Sequence, residues 1–138
     1  MKITVQTTIS ADKKKVWDLY TNPKHIVNWN FASEDWCCPS AENDLQVGGK
    51  YKARMEAKDK SFGFDFEATY SEVVEGERFS STLEDGREVN VSFENLDGQT
   101  KVVVVFDAEK ENSEEKQRSG WQSILDNFRS YAEREKNG

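Results

Sequence analysis

Histidine and cysteine are scarce in this chain, and their scarcity removes several kinds of chemistry at once. There is one histidine, His25, and there are two cysteines, Cys37 and Cys38, adjacent in sequence. A zinc site needs further Cys or His at ligand spacing, so no metal is expected. Neighbouring Cα atoms are ~3.8 Å apart, short of the preferred disulfide separation, so both thiols are expected to be free. Glu34 and Asp35 beside them have the wrong sign to activate a thiolate. Small buried residues near a pocket mouth are the better expectation. His25 falls in a short helix with no carboxylate or nucleophile in register, which predicts a surface histidine rather than a general base.

Long apolar runs are missing too. No stretch reaches the ~18 residues of a membrane span. The opening segment, Met1 to Val5, alternates like a strand and lacks the apolar centre of a signal peptide. With free thiols, this points to the cytoplasm. Basic residues are outnumbered 19 to 26, for a net charge of −7, and form no stripe interleaved with aromatics. Nucleic acid is therefore excluded as a partner. Gly48-Gly49 is not followed by Lys-Ser/Thr and opens no helix, so there is no phosphate loop. The carboxylates Glu114, Glu115, Glu133 and Glu135 fall on solvated helix faces, and Glu56, Asp65 and Glu67 at outward strand positions. None makes an acid/base pair, so a protease or glycosidase has no support and no cofactor is expected.

What remains is a pattern of alternation closed by a helix. The 138 residues are read as one domain, 1–138. Ile3, Val5 and Ile9 share one face of a first strand, with Thr7 in register. Ser10 is a candidate cap for a helix to Tyr20, with Val16, Leu19 and Tyr20 as its buried stripe. Asn22-Pro23 starts a second short helix ending near Trp29. Residues 30–44 are read as an irregular loop holding Phe31 and Trp36, long enough to be functional. From Leu45 the period becomes two: Leu45, Val47, Tyr51, Ala53, Met55 and Ala57 face one way, with Gly48-Gly49 as a bend. Phe62, Phe64, Phe66, Ala68 and Tyr70 form a second apolar face. Glu75-Gly76, Asp85-Gly86 and Asp97-Gly98 bracket strands near 79–83, 89–93 and 101–108. Val102 to Phe106 is apolar on both faces, which predicts a place near the sheet centre or beneath a helix. Trp121, Ile124, Leu125, Phe128, Tyr131 and Ala132 then mark one face of a helix over roughly 113–136, with Asp126, Arg129, Glu133 and Lys136 opposite. By pattern alone the fold is α+β.

Several segments stand in a recognisable order. They are Val16-Trp17, Asn22-Pro23 to Trp29, Asp44 to Tyr51 with its Gly-Gly, Phe66 to Val73, and Gly120-Trp121 to Leu125. Over essentially the whole chain this set resembles the activator-of-heat-shock-protein-ATPase-homologue branch of the SRPBCC superfamily, which includes the birch pollen allergen and START-like lipid-transfer domains. The resemblance implies a helix-grip fold. In it a six-stranded antiparallel sheet wraps a long C-terminal helix, two short helices follow the first strand, and a cavity lies between sheet and helix. It implies no single reaction, since members include lipid carriers, hormone receptors, cyclases and co-chaperones.

In such a cavity the candidate walls are Trp29, Trp36, Met55, Phe64, Phe66, Trp121, Leu125 and Phe128, with Tyr51 and Tyr70 supplying hydroxyls. The expected ligand is a small apolar or amphipathic molecule, with segment 30–44 controlling access. A second expectation is an interaction protein, a chaperone cofactor acting through its surface. A third, a cyclase-like enzyme, needs an ionisable group pointing inward, and the alternation offers none.

Overall fold

Seven strands and three helices make up the computed structural model, which describes residues 1–135. In chain order they are β1 (Lys2–Ile9), α1 (Lys13–Thr21), α2 (Pro23–Ile26), β2 (Trp36–Asn43), β3 (Lys50–Ala57), β4 (Gly63–Val74), β5 (Arg78–Leu83), β6 (Glu88–Leu96), β7 (Gln99–Asp107) and α3 (Glu114–Glu135). Lys136, assigned from periodicity to the outer face of the last helix, lies outside the described residues.

The strands form one curled antiparallel sheet in the order β1-β7-β6-β5-β4-β3-β2. Strands β2 to β7 are a meander, each hairpinned to the next, while β1 crosses over to pair with β7 from Lys2 opposite Asp107 to Ile9 opposite Thr100. Asp97 and Gly98 both have positive φ, the conformation that a tight hairpin between β6 and β7 demands. This is the helix-grip arrangement, with seven strands where six are expected.

The extra strand is β2, which occupies most of the segment read as a loop. Its burial does not alternate, Pro39 interrupts it, and its register slips between Cys37 and Ser40. An edge strand tolerates all three, because its second side has no ladder to satisfy. The strand expected from Leu45 begins instead at Lys50; Leu45 to Gly49 is a turn, and Val47 is exposed. Gly49 is pressed against the Asp44 carbonyl so closely that a Cβ would collide with it. The turn also reaches β4: Gly48 N donates to the Tyr70 carbonyl and Tyr70 N donates to the Gly49 carbonyl, both at 2.9 Å. A bend made possible by two glycines thus fixes Tyr70.

Capping sets the helices. Asp12, not Ser10, caps α1 by accepting from Lys15 N at 2.9 Å. The Ser10 amide donates instead to Glu133 Oε2 on α3, at 3.1 Å. Asn22 caps α2 ahead of Pro23, as its sequence requires. Ser113 opens α3 by accepting from Lys116 N. Two α3 side chains then hold the helix across the sheet. Gln122 exchanges hydrogen bonds with the Gln6 backbone on β1, and Asn127 donates to the Trp29 carbonyl at 2.8 Å. Gln122 so occupies part of an edge that would otherwise offer unpaired backbone.

The inward faces are Ile3, Val5 and Ile9 of β1, Val102, Val104 and Phe106 of β7, and Val89, Val91 and Phe93 of β6, all buried in a continuous apolar cluster with Leu125 and Phe128 of α3. Val103 and Val105, on the other face of β7, are half-buried. The doubly apolar run therefore lies one strand in from the sheet edge, with one of its faces under α3.

A cavity between sheet and closing helix

The core does not close completely. A cavity of about 210 Å³ lies between the concave face of the sheet and α3. Strand alternation builds its floor: Tyr51 and Met55 point in from β3, Phe64, Phe66, Ala68 and Tyr70 from β4, Phe79 and Ser81 from β5, and Val89 and Val91 from β6. The roof is one stripe of α3, Trp121, Ile124 and Leu125 at helical spacing. Tyr20 and Thr21 at the end of α1, with Trp29 and Asn30 after α2, close one end.

Ring contacts hold these walls. Trp121 stacks on Phe106 with centroids 4.1 Å apart and planes at 12°, and meets Phe66 edge-on at 6.2 Å. Trp29 donates its indole N–H to the Leu19 carbonyl at 3.0 Å, which fixes the ring against Tyr20 and Phe128. Buried aromatic pairs of this kind add ~0.5–1.5 kcal/mol each beyond area burial. Phe64 lines the cavity yet stays 41% exposed, which places it at the rim.

Eight of the ten residues expected from sequence line this space: Trp29, Tyr51, Met55, Phe64, Phe66, Tyr70, Trp121 and Leu125. Two do not. Trp36 lies outside the mouth, packed on Phe62 at 5.9 Å and Phe64 at 6.2 Å, because β2 carries it at the sheet margin. Phe128 is fully buried behind the wall, one helical turn past Leu125, against Tyr20 and Trp29. Phe62, grouped by alternation with the inward face of β4, is 63% exposed because that strand starts only at Gly63. The lining residues missed were chiefly Tyr20, Asn30, Asn43, Ser81 and Val91. Asn30 and Asn43 were hidden by the loop reading of their segment. Tyr20 was counted only as a helix-stripe residue.

The polar groups gather at the α1 end. Tyr70 Oη donates to Asn43 Oδ1 at 2.6 Å, and Asn43 Nδ2 donates to the Thr21 carbonyl at 2.7 Å. Asn30 Nδ2 donates to Tyr51 Oη at 3.3 Å and approaches the buried Cys38 Sγ at 3.9 Å. Among the described residues, no Asp, Glu, His, Lys or Arg lines the cavity. Burial pushes the Tyr20, Tyr51 and Tyr70 phenols well above their ordinary range. In second place, Tyr70 raises Tyr20, and Tyr20 raises Tyr51, by charge repulsion. Burial also raises the Cys38 thiol, the opposite of activation.

His25 is not a free surface residue. Its Nδ1 is 2.6 Å from Tyr131 Oη, brought by α3 from the far end of the chain, and its Nε2 is 3.8 Å from Asp18 Oδ2 on the preceding helix α1. This cluster lies away from the cavity lining.

All four tyrosines, Tyr131 included, have phenols raised chiefly by burial. The sign is that of a group protonated in the fold: its stabilisation is complete below the ordinary phenol value of ~10 and is lost as pH rises through the folded value. Alkaline titration followed by tyrosinate absorbance should show almost no ionisation of Tyr20, Tyr51 and Tyr70 near pH ~10, then a cooperative rise together with unfolding. Reversible ionisation of several tyrosines at that pH, with circular dichroism unchanged, would contradict this burial.

A cavity roofed by one long C-terminal helix and floored by a curled antiparallel sheet defines the helix-grip class of protein. Within that class, the chain belongs to the family of Activator of Hsp90 ATPase homolog 1-like proteins, whose model matches residues 10–133, and so to the SRPBCC superfamily. It is similar to the solution structure of the AHSA1-like protein from Aeromonas hydrophila, with 42% identity and a TM-score of 0.91 over 97% of this chain and 93% of that one. Chr148 from Cytophaga hutchinsonii is similar at 43% identity and a TM-score of 0.84, covering 96% of this chain and 92% of that one. Protein CV1439 from Chromobacterium violaceum shares the fold at 24% identity, with a TM-score of 0.84 and 96% of each chain covered. A comparison with curated proteins finds no match. Among the described residues, no helix is long and apolar enough to cross a membrane.

Proposed function

We propose that this protein, acting as one domain, binds a small and largely apolar ring compound between the sheet and α3. The observation that carries the reading is the cavity of about 210 Å³ walled by Met, Phe, Trp, Val and Leu side chains. An apolar cavity of ~150 Å³ in another protein admits benzene, whereas drug-sized ligands occupy ~300–1,000 Å³. The volume thus favours a molecule of one or two fused rings over a sterol or a full acyl chain. Binding works by burial: each Å² of apolar ligand surface removed from water contributes ~25 cal/mol. Phe64, which lines the cavity and is 41% exposed, controls access at the rim. The reduced cysteines fit a cytoplasmic setting.

Native mass spectrometry of freshly purified protein, beside its denatured mass, tests this first. A reproducible added mass that is lost on denaturation is the expected result. A bare polypeptide that also fails to bind added naphthalene or tetralin would overturn the reading. That outcome favours the second one, a chaperone cofactor or other partner protein, for which the observation is the aromatic group of exposed Phe62 and Phe64 on half-buried Trp36.

A further inference from the structure

The hydrogen-bond accounting at the α1 end narrows the ligand. Of the three tyrosine hydroxyls there, Tyr70 has committed its hydrogen to Asn43 Oδ1. Tyr51 Oη accepts from Asn30 and keeps its own hydrogen to donate. Tyr20 Oη has no hydrogen-bond partner among the described residues, although its ring is packed by Trp29, Phe79, Phe93 and Phe128. No buried side-chain oxygen among the described residues is sealed off without a partner, so this hydroxyl opens onto the cavity that Tyr20 lines. Two O–H donors therefore face one end of an otherwise apolar space, and a polar group left unpaired there costs free energy.

The same lining holds no cation. A carboxylate or phosphate entering it would leave water without a compensating charge, at a cost far above that for a neutral group. A carbonyl oxygen has two lone pairs, which match two donors. We infer that the cavity selects a neutral ring compound with one carbonyl oxygen, held by the Tyr20 and Tyr51 hydroxyls while the rings lie against Met55, Phe66 and Leu125, and that it rejects organic acids of the same size. The raised phenol ionisation of both tyrosines is consistent, since it keeps both hydroxyls protonated as donors at neutral pH.

This inference rests on the cavity being a binding site, and its test separates the two. Binding of α-tetralone, tetralin and α-naphthoate is measured by titration calorimetry on the unmodified protein and on Tyr20→Phe and Tyr51→Phe. The ketone should bind about fivefold to tenfold more tightly than the hydrocarbon, the factor that one net hydrogen bond supplies. The acid should bind at least about tenfold more weakly than the ketone. In either variant the advantage of ketone over hydrocarbon should shrink to less than about threefold. Equal affinity for ketone and hydrocarbon, or tight binding of the acid, overturns the inference and leaves the cavity reading standing. Failure of all three compounds to bind overturns both. Tyr51→Phe keeps the test decisive should Tyr20→Phe fold poorly.

Discussion

Ala68→Phe should reduce binding of a two-ring ligand by at least about 100-fold, close to 2.8 kcal/mol at 1.4 kcal/mol per tenfold. Ala68 is buried on β4 between Tyr51 of β3 and Leu83 of β5, and it lines the cavity floor. A benzyl group added there projects into the empty space the ligand would occupy. Overpacking of a filled core costs ~1–3 kcal/mol, but here the added ring replaces void rather than displacing neighbours, so the fold should hold. Ala68→Leu is the milder companion and should weaken binding in proportion to the smaller volume added. Calorimetry gives the affinity and circular dichroism the fold. A folded Ala68→Phe protein that still binds the ligand would place the site elsewhere.

Phe128→Ala should cost about 3–5 kcal/mol of stability, the range for truncating a fully buried aromatic. The ring has no exposed surface and meets Tyr20 and Trp29 with centroids at 4.9 and 4.8 Å. Both partners are cavity walls, so the loss should also let them relax backward and enlarge the site. The expected pattern is a lower urea midpoint with a gain in affinity for three-ring over two-ring hydrocarbons. A loss under about 1 kcal/mol would mean that α3 slides to refill the gap, since surface-like values are all that remains when a site collapses well.

The two residues show what sequence can and cannot reveal about such a site. Phe128 and Leu125 belong to the same apolar stripe of α3, and period alone puts both under the helix. Only the sheet's curvature decides which of them faces a void and which meets Trp29. Curvature is set by long-range pairing, so it leaves little trace in local pattern. The floor was easier: alternation on β3 and β4 identified Tyr51, Met55, Phe66 and Tyr70 because each strand has one buried face. Alternation failed at β2, where Pro39 and a register slip break the period; that failure concealed Asn43, and Asn30, just past the turn after α2, has no period to show it. His25 was misjudged for a different reason: its partner Tyr131 lies 106 residues further along the chain. The fold class was legible because turn signals such as Asp97-Gly98 are local chemistry, while the polar end of the cavity is assembled from five separate segments.

The crossover of β1 has a consequence for synthesis on the ribosome. Every other strand pair in the sheet joins neighbours in sequence, but β1 pairs only with β7. At ~5–20 residues per second, roughly 5–20 s separate the appearance of these two strands. Through that interval Ile3, Val5 and Ile9 have no β-sheet to cover them, and their backbone groups are open to any extended chain nearby. The β2–β7 meander can assemble hairpin by hairpin as it emerges, since its contacts are local. Closure of β1 onto β7 and the docking of α3 through Gln122 must come last, so the cavity is a product of the final folding step.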